Sequence, residues 1–182
     1  MKKIFIIIVI FLVFFCGCTV KKTRDVTDSE KFAKEYDISN KNSFIYSNVD
    51  EIIDILENKS GIILFADSDS DYSKEAVKVL KKVLDNIKYS NKIYYYDPTN
   101  IQNKRTKSYR KLLDLLDGYL EYDDNDNTVL YLPDIYIVKN GKIIDHNNDP
   151  ALMKGNIEDN FTEEYKKKLY KKYSILINKF NK

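Results

Sequence analysis

GIILFADSDSDYSKEAVKVL, residues 61–80, is the stretch whose reading decides the fold. The apolar run Ile62 to Phe65 breaks into the polar loop Asp67 to Tyr72. Apolar residues then return as Ala76, Val77, Leu80, Val83, Leu84 and Ile87, at helical spacing. The stretch reads as a strand, a tight turn and a helix.

Outward from this core, Lys92 to Tyr96 is a second strand, stopped by Asp97-Pro98. Strand, helix and strand at these lengths make a parallel βαβ unit. Upstream, Phe44 to Tyr46 is a short strand, and Asn48 or Asp50 can cap a helix carrying Val49, Ile52, Ile53 and Leu56. Downstream, Lys107 to Leu120 is a helix with Tyr109, Leu112, Leu113, Leu116, Tyr119 and Leu120 on its buried face. The acidic run Glu121 to Asn127 is expected to be a solvated loop. Ile135 to Val138 and Ile143 to His146 are strands joined through Asn140-Gly141, which supplies the positive φ angles of a type I′ turn. Residues 147–160 are an irregular polar connection, after which Thr162 can cap a last helix. There Tyr165, Leu169, Tyr173, Leu176 and Phe180 face the core, opposite Lys166, Lys167, Lys168, Lys171 and Lys172. That basic face reads first as solvated and second as a contact for anionic lipid head groups.

The loop Ser70-Asp71-Tyr72-Ser73, placed after a central strand and over a helix N-terminus, lines up with the Cys-x-x-Cys motif of thioredoxin-like domains. Pro133, in Leu132-Pro133-Asp134, matches the proline that is cis in that family and faces the motif. With GIILF, KIYYYDP, LPDIYIVKNGKII and the C-terminal Thr-Glu-Glu helix, residues 43–182 resemble a bacterial thioredoxin-like subfamily found among cell-surface and bacteriocin-accessory proteins. The resemblance implies an α/β, three-layer α/β/α fold with a central mixed sheet and a C-terminal antiparallel hairpin. It also implies a partner-binding groove of Asp69, Ser70, Asp71, Tyr72, Ser73, Leu132 and Pro133. Family members usually keep both cysteines; here both are serine. Disulfide exchange needs a thiolate, which a cysteine at a helix N-terminus readily supplies and a serine hydroxyl does not. The expectation is a noncatalytic module that binds a peptide or protein without a cofactor. The alternative is a thiol-disulfide oxidoreductase or bacteriocin-maturation accessory whose partner supplies every thiol.

The N-terminus carries an address. Lys2 and Lys3 precede the apolar run Ile4 to Phe15, which suits an export signal and falls short of the roughly 20 residues a spanning helix needs. Gly17-Cys18 resembles a bacterial lipobox, and this implies cleavage after residue 17 and a diacylglycerol on Cys18, holding the protein to the outer face of the plasma membrane. An uncleaved anchor is the alternative. Residues 18–42 read as a polar tether and residues 43–182 as the domain. The whole chain has 30 Lys+Arg and 28 Asp+Glu, and two of those lysines belong to the signal. The balance that remains gives no reason to invoke nucleic acid. Both cysteines, Cys16 and Cys18, lie at the signal, so the domain has no internal disulfide.

Other chemistry reads weakly. Asp67, Asp69 and Asp71 alternate as in a calcium loop, but an EF-hand starting at Asp67 needs glycine where Tyr72 stands and glutamate where Lys78 stands. No metal site is expected; the acids suit a helix N-terminus without one. The single histidine, His146, could serve Ser70 or Ser73 as a base. Its expected place is the distal end of the hairpin, away from the loop, so it reads as a surface residue. With five glycines there is no Walker motif or other glycine-rich phosphate loop.

Overall fold

The computed structural model describes residues 26–181. The expected signal 1–17, Cys18 and residues 19–25 of the expected tether lie outside the described residues. In chain order the elements are α1 (Asp28–Tyr36), β1 (Phe44–Tyr46), α2 (Val49–Asn58), β2 (Gly61–Phe65), α3 (Asp71–Asn86), β3 (Ile93–Tyr96), α4 (Thr99–Asn103), α5 (Lys107–Leu115), β4 (Glu121–Tyr122), β5 (Thr128–Val129), β6 (Asp134–Lys139), β7 (Lys142–Asn147), α6 (Ile157–Asn160) and α7 (Glu163–Asn181). A short 3₁₀ turn, Asp149–Leu152, precedes α6.

Five strands form one sheet in the order β1-β3-β2-β6-β7. The first three run parallel, β6 is antiparallel to β2, and β7 is antiparallel to β6. β2 is buried along its whole length because its alternate side chains feed two cores. Ile62 and Leu64 join α1, α3 and α7 through Phe32, Leu80 and Leu169. Ile63 and Phe65 join α2 and α5 through Ile52 and Leu112. The protein is a three-layer α/β/α fold with a mixed sheet and a C-terminal antiparallel hairpin.

Side-chain caps set the helix starts. Asn48 and Glu51 form a reciprocal capping box on α2, and Thr106 and Thr162 accept the N3 amides of α5 and α7. The Asn140-Gly141 turn has φ of 49° and 69°, and it is seated against the end of α2. The Gly141 amide donates to Lys59 O at 2.8 Å, and a Cβ on Gly141 would lie 2.2 Å from Glu57 O. Only glycine fits there.

The structure differs from the sequence reading in several places, among them α4 and the two short helices within residues 147–160, which the sequence reading did not include. Residues 28–36, expected within the tether, form α1, capped by a Thr27–Glu30 box. Its Phe32 and Tyr36 are fully buried, with Phe32 stacked on Phe44 at 4.1 Å and Tyr36 bonded through its hydroxyl to Tyr95. The packed unit thus begins at Thr27. α5 ends at Leu115, shorter than the expected helix to Leu120, with Leu116 at its C-cap. The acidic run lies largely between two paired strands, β4 and β5. The Asp123 carboxylate accepts the amides of Asn125 and Asn127 and so holds the turn. Finally, β7 bulges: Ile137 pairs with Asp145 but Val138 with Ile143, leaving Ile144 unmatched.

Both sheet edges are occupied. On β1 the outward amides of Phe44 and Tyr46 donate to the Asn42 side chain and the Asp28 carboxylate. On β7 the bulge breaks the ladder, and Ile143 O accepts the Tyr119 hydroxyl.

Candidate functional site

β2 ends at Phe65, and the chain leaves the sheet through Ala66 into the loop that starts α3. Each polar group of the loop has a local task. The Asp69 amide donates to the Asp67 carboxylate at 2.8 Å, and the Ser70 amide to Asp67 O at 3.2 Å. Ser70 is the N-cap of α3: its Oγ accepts the Ser73 amide at 3.3 Å. Ser73 is fully buried, and its Oγ accepts the Asp67 amide at 3.4 Å. The two hydroxyls therefore cap the helix and close its loop. Asp69 and Asp71 are exposed.

Tyr72 points back into the protein. Its hydroxyl donates to Gly155 O at 3.1 Å and accepts from Asn160 Nδ2 at 2.7 Å, while its ring meets Phe161 edge-on at 5.8 Å. The segment after the 3₁₀ turn is thereby pinned over the first turn of α3. An open groove of about 340 Å³ lies beside it, lined by Asp71, Lys74, Glu75, Ile157, Phe161 and Lys166. Of the expected partner-binding residues, Asp71 alone lines this groove.

On the neighbouring strand Asp134 pairs with Phe65, so the buried Pro133 arrives one step further, level with Ala66. Sheet register thus brings Pro133 to the sheet end from which the Ser70 loop springs. Leu132 is half-buried against the α2–α5 core. The Leu132–Pro133 peptide is cis.

His146 stands close to this end, a correction to its expected remote position. A plain two-residue hairpin would set His146 opposite Ile135; the Ile144 bulge shifts the register and sets it opposite Tyr136. On that face the His146 ring stacks on Tyr136 at 5.0 Å and meets the edge of Tyr119. Its Nδ1 lies 3.2 Å from both oxygens of Asp134, a carboxylate only 2% exposed. Burial pushes the Asp134 carboxyl up to about 6, moderated by the bond and charge of His146. Burial alone would lower the imidazole, but the bond to Asp134 and its charge outweigh this and raise it. Sequence reasoning missed this pair. The available signal was a lone acid at the head of an apolar strand, and its partner depended on the bulge.

Fold and site together define an α/β/α protein whose central helix starts at two serine caps beside a proline-led strand. No family model matches the chain, and no curated protein matches it in sequence. Among the described residues no group of three or more histidine, cysteine or acidic side chains is placed to hold a metal ion, and no helix is long and apolar enough to cross a membrane.

Proposed function

We propose that this chain is a membrane-tethered, noncatalytic thioredoxin-like module at the bacterial cell surface, which binds a peptide or protein beside the Ser70 loop and the Leu132–Pro133 segment. One observation carries the reading: both motif hydroxyls are used as acceptors that build the α3 N-terminus. No residue beyond Cys18 is a cysteine, so thiol exchange has no nucleophile in the domain. The site nonetheless keeps its location at the carboxyl end of β2 and β3, where open α/β sheets bind their ligands. Extended peptides are held at such places mainly through the backbone, which requires no sulfur. Cys18, lipidated in this reading, supplies the tether.

The test has two arms. The purified chain is expected to reduce insulin no faster than a buffer blank, and turnover above that blank would reject the noncatalytic assignment. For binding, a photoreactive residue replaces Asp69, since Tyr72 is engaged internally. Cells should yield one cross-linked partner from position 69 and none from Asp114 on α5; equal capture from both positions would remove the site.

A further inference from the structure

The two helical layers differ in charge. α7 carries six lysines against two glutamates, whereas on the opposite face α2 carries four acids and no base, and α5 carries Lys107, Arg110 and Lys111 against Asp114. The segment from β4 through β5, also on the α2 side, adds four acids and no base. On α7, Lys166, Lys172 and Lys179 are held by ion pairs to Glu75, Asp149 and Asp145. Lys167, Lys168 and Lys171 are exposed and make no ion pair among the described residues. One turn beyond Lys171, on the same stripe, stands Ile175, an apolar side chain 59% exposed. A stripe of unpaired lysines around one exposed isoleucine has the make-up of a helix face that settles on an anionic membrane surface.

The start of the folded unit says which membrane. Because α1 is packed, only residues 19–25 separate Cys18 from Val26, and seven residues span at most about 25 Å. Val26 is 71% exposed and leads directly into α1, which shares a layer with α3 and α7. A chain held at Cys18 therefore keeps its lysine-rich layer close to the bilayer that holds it. Lys21, Lys22 and Arg24, against Asp25, give the link a net charge of +2.

We infer that the exposed face of α7, Lys167, Lys168, Lys171 and Ile175, docks on anionic phospholipid head groups of the anchoring membrane and turns the α2–α5 layer outward. The inference rests on the tethering proposed above and adds an orientation to it. The lysines supply long-range attraction, which salt screens, and Ile175 enters the head-group boundary.

The test uses the full chain with an environment-sensitive fluorescent amino acid at position 175 or, as a control on the opposite layer, at Tyr122. It is reconstituted with vesicles of pure phosphatidylcholine or with one-third phosphatidylglycerol. The expected result is flotation with both vesicles and a blue shift at 175 on the anionic vesicles alone. That shift should be lost in high salt and in Lys167→Glu/Lys168→Glu/Lys171→Glu, which still floats. No shift at 175, an equal shift at 122, or the same shift on neutral vesicles would overturn the docking. A shift reproduced by soluble polyphosphate without vesicles would give the face to a soluble polyanion and overturn the lipid assignment. Flotation with anionic vesicles only would remove the tether and leave the docking face standing; flotation with neither would remove both.

Discussion

Asp134 and His146 show how one residue out of register can create a site. Both side chains have folded pKa values above their ordinary ones, so each contributes stability that is full at low pH and is lost as pH rises. For Asp134 the loss runs from about 3.8 to about 6; for His146 it starts near 6.5. Asp134→Asn removes the charge and leaves the burial. Because the chain has a single histidine, its titration can be followed directly by NMR. The imidazole pKa should fall below 6.5 in the variant, and the variant should gain thermal stability relative to the parent between pH 4 and 8. An unchanged imidazole titration would refute the coupling. Ser70 offers a second test at this scale: Ser70→Ala should cost about 1 kcal/mol in a urea titration, the usual value of an N-cap. The cap at Thr162, and that of α2 as Asn48 or Asp50, could be read from the chain, whereas the capping role of Ser70 came only with the structure. The Asp134–His146 contact could not be read there, because it depends on where β7 places its extra residue.

Among the elements, α1 carries the clearest lesson. Its two turns, with Phe32 and Tyr36 on one side, are visible in the sequence. Yet a nine-residue helix is too short to persist by itself. What fixes it is the aromatic cluster with Phe44 and Tyr95, and Tyr95 lies 59 positions beyond Tyr36. Local pattern cannot report such a partner. If α1 belongs to the folded unit, Phe32→Ala should destabilise the protein by about 3 to 5 kcal/mol, the cost of emptying an aromatic site in a core. A urea midpoint within error of the parent would place these residues outside the folded unit. The short hairpin of β4 and β5 escaped for a related reason: its strands are two residues each, and the Asp123 side chain, rather than an alternating pattern, holds them in register. By contrast β2, α3, the β6–β7 turn and α7 were legible, because each has enough periodicity or turn chemistry to declare itself locally.

At the scale of the molecule, the three-layer arrangement was expected from the resemblance alone, and its physical basis is a central strand buried on both faces, which needs helices above and below it. The distribution of charge between the layers could not be inferred, since the net balance of the chain conceals a basic layer and an acidic one. The closed margins of the sheet matter most where copies are crowded. Proteins confined to two dimensions meet one another far more often than in solution, and a bare backbone ladder would let neighbours zip together into ribbons. With Asp28 and Asn42 capping one margin and Ile144 distorting the other, copies of this protein can be packed densely and still remain separate molecules.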